Sequence, residues 1–114
     1  MIGIYIVRNN NGKIDGFEVS GHSGYANKGE DIVCAAVSAI VQTAVMGIYD
    51  VISIDIIYTQ RDGYAKFELP SELTLDQKRA AHVILETMFV GLKSIEMQYG
   101  SFVFIEESGG DLDV

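Results

Sequence analysis

The stretch GHSGYANKGEDIVCAAVSAIVQTA, residues 21–44, joins a glycine-bearing loop to a long run of mostly apolar residues. It contains Cys34, the only cysteine in the sequence, and His22, one of its two histidines. Asp31 is a residue type that caps helix N-termini, and the apolar residues after it predict a helix from residue 31 to about residue 50. The stretch therefore places the cysteine in the first turn of a helix, directly after a loop.

Two predicted hairpins lie on either side of this helix. Residues 2–8 predict a strand, and the turn residues 9–12 lead to a second strand that ends near residue 21. Beyond the helix, residues 52–59 alternate mostly between apolar and polar side chains, which indicates a strand. The pair at residues 62–63, Asp-Gly, is typical of a hairpin turn, so a returning strand should follow.

A second helix and a last strand complete the predicted fold. Thr74 and Gln77 have the spacing of a capping box at the start of this helix, and residues 102–105 predict the last strand. The order β-β-α-β-β-α-β favours an α+β two-layer sandwich, with two helices packed on a small, mostly antiparallel sheet. We expect a single domain over residues 1–106 and a flexible acidic tail over residues 107–114.

Composition and charge restrict the classes of partner. The formal net charge is −8, and the eight Lys and Arg residues are scattered along the sequence, which argues against direct binding to nucleic acid. One cysteine cannot form an internal disulfide, and the N-terminus lacks a signal-peptide pattern, so we expect a cytoplasmic protein. The uncharged run over residues 32–49 is interrupted by polar side chains, and we interpret it as a buried helix at a subunit interface rather than a membrane span.

Cys34 and His22 are the candidate catalytic residues. If Asp31 is the N-cap, Cys34 occupies the third helical position, where free backbone N–H groups and the helix dipole stabilise a thiolate. The alternative interpretation is that Cys34 is a small buried apolar residue. A Cys–His pair needs contact in space, and His82 in the second helix is the competing histidine, although a half-buried surface position is the simpler interpretation for it.

Asp31, Cys34, Ser38 and Gln42 share one stripe of the predicted helix, because they are spaced three or four residues apart. This stripe either faces water or forms a polar seam that extends from the site. In the second case Asp31 would orient His22, and Ser38 would hydrogen-bond the thiol or the imidazole. The charge of Asp31 would also oppose the effect of the helix dipole on the thiolate.

The loop before the helix has the residues of a movable lid. Gly21, Gly24 and Gly29 give it conformational freedom, and Tyr25 at its centre could pack on a substrate side chain. Ordinary turn formation is the alternative interpretation of these glycines. Since no pair of His, Cys or Asp residues has metal-motif spacing, the sequence predicts neither a metal nor another cofactor.

The residues GHSGYANKGEDIVCAAVSA resemble the signature of the ribosomal-processing cysteine protease family, Prp. The resemblance implies a small cytoplasmic endopeptidase, active as a homodimer, that removes a short N-terminal extension from a large-subunit ribosomal protein. It also implies that Cys34 and His22 are catalytic and that Asp31 and Ser38 support them. In such an enzyme, N–H groups at the start of the helix would form the oxyanion hole.

Two alternatives to a protease remain at this stage. One is a non-catalytic, ribosome-associated or assembly module that binds a peptide through the loop of residues 21–31. The other is a structural dimer in which Cys34 is only part of the core.

Overall fold

The computed structural model describes residues 1–109. Its strands, in chain order, are β1 (Ile2–Arg8), β2 (Ile14–Ser20), β3 (Ile57–Arg61), β4 (Tyr64–Glu68) and β5 (Val103–Gly109). Its α-helices are α1 (Ile32–Met46) and α2 (Leu75–Gln98), and a π-helical segment, Gly47–Val51, extends α1. The predicted element order and the α+β sandwich are confirmed.

The five strands form one sheet in the order β3-β4-β2-β1-β5. Strand β1 is antiparallel to β2 and parallel to β5, and the remaining pairs are antiparallel. Because side chains alternate along a strand, Ile4 and Ile6 of β1 are buried under the helices, whereas Tyr5 and Val7 lie on the opposite, exposed face. The helices therefore cover one face of the sheet.

The core lies between the sheet and the two helices. On the sheet side, the rings of Phe17 and Phe67 stack with their centroids 5.1 Å apart. Helix α1 with its π-helical extension is long and apolar enough to pass as a membrane span by length and composition. In this fold one face of α1 belongs to the core instead, and the buried residues of the two helices are Val33, Val37, Val41, Ala44, Val45, Ala81, Leu85, Met88 and Leu92.

Local signals in the sequence correctly located the turns and the start of α2. The N–H of Gln77 donates to Thr74 Oγ1, and the N–H of Thr74 donates to Gln77 Oε1, so the predicted capping box is present. Residues 9–12 lie in the turn between β1 and β2, and residues 62–63 form the turn between β3 and β4, as predicted.

The prediction of a strand over residues 52–59 was wrong for its first half, since β3 begins only at Ile57. Strand β4 has five residues, so its pairing with β3 ends at Ile57 and leaves residues 52–56 without a partner strand in the described sheet. Ile54 is instead buried in the core, and its N–H donates to the carbonyl of Ile48. The alternation reflects an irregular segment with one core-facing side chain. The helical run before it reached the predicted end near residue 50, but its last turn is a π-helix.

The C-terminal boundary also differs from the prediction. Strand β5 continues to Gly109, so residues 107–109 belong to the sheet and not to a flexible tail. The extension has a partner because β1 runs parallel to β5 as far as Arg8, whose Nε donates to Glu107 at 2.7 Å. The rest of the predicted tail, residues 110–114, lies outside the described residues.

Candidate active site

A cavity of about 520 Å³ lies between α1 and the half of the sheet formed by β2, β4 and β3. The loop of residues 21–31 borders one end of this cavity, and the turn between β3 and β4 borders it as well. Its apolar lining includes Ile2, Val19, Val37, Val41 and Ala65, and its polar lining includes His22, Lys28, Asp31, Cys34, Ser38, Gln42, Gln60, Arg61 and Asp62. The cavity therefore brings together the candidate cysteine and the candidate histidine.

Asp31 is the N-cap of α1, as predicted. Its Oδ1 accepts hydrogen bonds from the backbone N–H groups of Val33 (3.0 Å) and Cys34 (2.9 Å). Its Oδ2 accepts from the hydroxyl of Ser23 and from the N–H of Ala26. One carboxylate thus fixes both the start of the helix and the loop that precedes it.

These contacts determine the protonation of Asp31. Desolvation acts to raise the pKa of this carboxyl, but the hydrogen bonds from Ser23, Cys34, Ala26 and Val33 outweigh it and lower the pKa to about 2. Asp31 is therefore ionised at neutral pH and holds its donors as a charged acceptor.

Ser23 is a residue of the site that the sequence analysis missed. It is buried, with 3% of its surface exposed, and its hydroxyl accepts the N–H of Tyr25 while it donates to Asp31. Its own N–H donates to Cys34 Sγ at 3.3 Å. Its position directly after His22 was the only signal in the sequence that could have indicated this role.

Cys34 lies at the third position of α1, as predicted, and is half-buried rather than enclosed in the core. Cys34 lines the cavity, and its sulfur accepts the Ser23 N–H. The structure thus places a half-buried cysteine at a helix N-terminus beside a cavity, which is a suitable setting for a nucleophilic cysteine.

His22 lies across the cavity, beside the turn between β3 and β4. Its Nε2 is 3.9 Å from Asp62 Oδ2, and its ring lies against Gly63. Within residues 1–109, His22 forms no hydrogen bond with Cys34 and none with Asp31. Asp31 therefore does not orient the imidazole in this conformation, because its oxygens are used by the helix and the loop.

The predicted polar seam along α1 is present. Cys34, Ser38 and Gln42 all line the cavity, so this stripe faces a cleft and not only bulk water. Ser38 is exposed, and the hydrogen bonds of the described residues include none from it to the thiol or to the imidazole. Ser38 therefore lines the cavity but does not make the predicted contact.

The glycines of the loop have backbone angles that suit glycine, with φ of +99° at Gly21, +75° at Gly24 and +90° at Gly29. Tyr25 does not line the cavity in this conformation. Its ring instead packs edge-on against Tyr99 and Phe102, at centroid distances of 5.9 and 5.3 Å. A contact between Tyr25 and a substrate stays a prediction that would require the loop to move.

His82, the competing histidine, lies outside this cavity on α2. Burial lowers its pKa, and the charge of Lys13 lowers it further, while Asp15 acts in the opposite direction. Its charged neighbours thus include residues of the first hairpin and not the thiol. In the described part of the chain, no group of three or more His, Cys, Asp or Glu side chains is arranged to hold a metal ion.

The arrangement can support nucleophilic chemistry at a carbonyl. A thiol at a helix N-terminus and an imidazole share one cleft, and the cleft has an apolar lining that can accommodate side chains of a bound chain. The N–H groups of Val33 and Cys34 donate to Asp31, so these two donors are not free to form the predicted oxyanion hole at the helix start.

The low pKa of Asp31 predicts a pH-dependent stability. Asn also caps helices, so Asp31→Asn keeps an acceptor and removes the charge. Because the pKa of about 2 in the folded state is below the ordinary value of 3.8, ionised Asp31 stabilises the fold above that ordinary value. This contribution is lost as the pH falls towards 2. In urea unfolding, wild type should be more stable than Asp31→Asn at about pH 6, and the difference should shrink towards about pH 3.

Glu72→Gln, at an exposed position before α2, controls for the removal of one negative charge. A stability difference between wild type and Asp31→Asn that stays constant across this pH range would contradict the assignment.

The two hairpin turns provide a matched test of how His22 is placed. Gly63 has φ of +70°, and a Cβ there would lie 2.8 Å from His22 Nε2, whereas Gly12 has φ of +76° with open space around it. Both Gly→Ala changes should destabilise the fold by about 1 kcal/mol because of the positive φ. Only Gly63→Ala should also displace the imidazole, which NMR of the His22 ring would detect. Unchanged His22 resonances in Gly63→Ala would exclude this placement.

Comparison with known proteins places this site in a family. Residues 1–104 match the family described as cysteine protease Prp. The ribosomal processing cysteine protease Prp of Bacillus subtilis is 34% identical over 101 residues, which cover 87% of this chain and 90% of the relative. The protein of the same name from Staphylococcus aureus is 36% identical over 101 residues, which cover 87% and 92%.

Solved structures give the same result. The ribosomal processing protease Prp from Staphylococcus aureus with a covalently linked product peptide superposes with a TM-score of 0.85, at 28% identity, over 95% of this chain and all of that chain. The structure of that protease with a substrate peptide gives a TM-score of 0.81 at 27% identity, with the same coverage of both chains. A family match over almost the whole chain and relatives above 30% identity together show that this chain belongs to the Prp family of cysteine proteases.

Proposed function

We propose that this protease removes a short N-terminal extension from a large-subunit ribosomal protein in the cytoplasm, with Cys34 as nucleophile and His22 as general base. The observation that carries the proposal is the presence of Cys34, at the start of α1, and His22 in one cavity. The relatives named for ribosomal processing, and the peptides in two structures of the relative, support the class of substrate.

The reaction follows from the chemistry of the two residues. His22 takes the proton of the Cys34 thiol, and the thiolate attacks the scissile carbonyl. His22 then gives that proton to the leaving amine as the C–N bond breaks, which leaves an acyl-enzyme on Cys34. A water molecule, deprotonated by His22, hydrolyses the thioester and restores the thiol.

The backbone donor that faces the nucleophile is the N–H of Ser23, 3.3 Å from Sγ. We assign to this group the stabilisation of negative charge near the sulfur, because the N–H groups of Val33 and Cys34 already donate to Asp31. In this proposal Asp31 acts indirectly, since it holds Ser23 and the start of α1 in place.

The charge of the protein suits a basic protein substrate. A net charge of −8 favours association with a basic partner and disfavours direct contact with RNA phosphates. We therefore expect the enzyme to act on the protein component of the ribosome without a nucleic-acid site of its own.

We also propose that the enzyme is a homodimer through the outer face of α2, in place of the interface on α1 that the sequence analysis inferred. Val83, Val90 and Met97 are spaced seven residues apart on this helix and are 68%, 66% and 85% exposed. An exposed apolar stripe of this kind is typical of an interface.

Wild type should sediment at twice the mass of one chain, and Val90→Glu should sediment as a monomer, because the substitution places a charge in the stripe. Thr59→Glu, on the exposed β3, should remain dimeric. A monomeric wild type would contradict the proposal.

The proposed function is tested with the ribosomal protein precursor encoded in the same genome, its N-terminal extension included. Wild type should make one defined cut near the N-terminus, detected by intact mass. Cys34→Ala should abolish the cut, and His22→Ala should slow it by about a thousandfold or more, because the two residues act as a unit. His82→Ala is the matched control and should retain activity, since His82 lies outside the cavity.

The alternative, a peptide-binding module without catalysis, predicts a different result. Folded wild type would then bind the extension without cutting it, and binding would survive Cys34→Ala. That outcome would refute the proposed substrate and reaction.

A further inference from the structure

Asp62 is a carboxylate of the site to which the proposed reaction has assigned no role. It lies in the turn between β3 and β4, and its Oδ2 is 3.9 Å from His22 Nε2. Its Oδ1 is 3.6 Å from Lys28 Nζ, in the loop of residues 21–31. All three side chains line the cavity that contains Cys34.

The sheet fixes the position of Asp62 relative to His22. Strands β2 and β4 pair with Ser20 opposite Tyr64, so the residues after Ser20 run alongside the turn that precedes Tyr64. The N–H of Gly21 donates to the carbonyl of Gly63 at 2.9 Å, which fastens the two segments together. The contact between Asp62 and His22 thus follows from the strand register at the point where the loop of residues 21–31 begins.

The other carboxylate of the site is not available to His22. Asp31 accepts four hydrogen bonds, from the helix start and from the loop, and the hydrogen bonds of residues 1–109 include none between Asp31 and the imidazole. Asp62 is therefore the acidic side chain that faces the candidate base.

We propose that Asp62 is a positioning residue for His22: across 3.9 Å, beyond direct hydrogen-bond distance, its carboxylate favours the ring proton on Nε2 by charge and leaves Nδ1 as the nitrogen that exchanges the proton with Cys34. The tautomer of a histidine is set by the partner of its other nitrogen. The inference rests on the proposed function. During the reaction the thiol proton moves to Nδ1 and then to the leaving amine, while the Nε2 proton stays next to Asp62. The charge of Asp62 offsets the transient imidazolium.

The size of this effect is limited by solvent. The side chains of His22 and Asp62 are 60% and 70% exposed, and Lys28, which is 85% exposed, competes for the same carboxylate. Exposed pairs contribute little, so Asp62→Ala should lower kcat/KM by about two- to fivefold, mainly through kcat. The loss should diminish in about 1 M salt, where the Debye length is about 3 Å.

The experiment combines NMR with kinetics on the full chain. Nitrogen-15 NMR, recorded at a pH where the spectrum itself shows the neutral His22 ring, should show a larger share of the Nδ1–H tautomer in Asp62→Ala than in wild type. Asp62→Glu, which keeps the charge, should restore part of the tautomer ratio and of kcat. Asp50→Asn, an exposed carboxylate outside the cavity, is the control and should change neither.

A second comparison separates His22 from Lys28 as the partner through which Asp62 acts. In a Lys28→Ala background, loss of Asp62 should still lower kcat, because the contact with His22 remains. If the effect of Asp62→Ala vanished in that background, Asp62 would act by holding the loop through Lys28, and the proposal would be overturned.

The tautomer measurement needs no substrate, so the two proposals can fail separately. An active wild type, with the same tautomer ratio and kcat in Asp62→Ala, would overturn the role of Asp62 and leave the proposed function intact. An inactive wild type whose tautomer ratio responds to Asp62→Ala would leave the positioning contact standing and refute the proposed reaction.

Discussion

The carboxylate of Asp31 is the contact on which the site depends. Its Oδ1 holds the first turn of α1, and its Oδ2 holds the preceding loop. Because Cys34 is in that first turn and Ser23 is in that loop, the same side chain sets the distance between the sulfur and the Ser23 N–H. A helix cap, which stabilises the start of a helix, here also determines the surroundings of the Cys34 sulfur.

Two different carboxylates therefore lie beside the two candidate residues, Asp31 at Cys34 and Asp62 at His22. A single Asp cannot place both oxygens on the helix and loop and also orient an imidazole across the cleft. Within residues 1–109, the carboxylate beside His22 comes instead from Asp62, in a turn that the pairing of β2 and β4 brings to the same end of the sheet. The two sides of the cleft are therefore held by different contacts. The capped start of α1 holds Cys34, and the turn of the β3–β4 hairpin lies against His22.

The sequence predicted those features that depend on local chemistry. The capping box of α2, the hairpin turns, the N-cap at Asp31 and the position of Cys34 follow from residues close together in the chain, and all are present. The failures concern non-local pairing. The alternating residues 52–56 resemble a strand, but β4 is too short to pair with them, and residues 107–109 join the sheet because β1 offers a parallel partner.

The same distinction applies to the site. His22, Cys34, Asp31 and Ser38 lie within one stretch and were recognised together, whereas Asp62 is distant in sequence and was read only as part of a turn. Its proximity to His22 depends on which strand lies beside β2 and in which register, and no local pattern encodes this. Ser23 was missed because its importance comes from burial of its hydroxyl against Asp31.

The described conformation explains how the site can be stable and still change. The contacts that hold Cys34 are backbone hydrogen bonds to an ionised, structurally fixed carboxylate. The contact between His22 and Asp62 is weaker, because the two side chains are 60% and 70% exposed and lie 3.9 Å apart, beyond direct hydrogen-bond distance. Exposed pairs contribute little, so moving the imidazole towards the sulfur costs far less than disrupting the cap. Cys34 and the start of α1 are therefore held more firmly than His22 in this conformation.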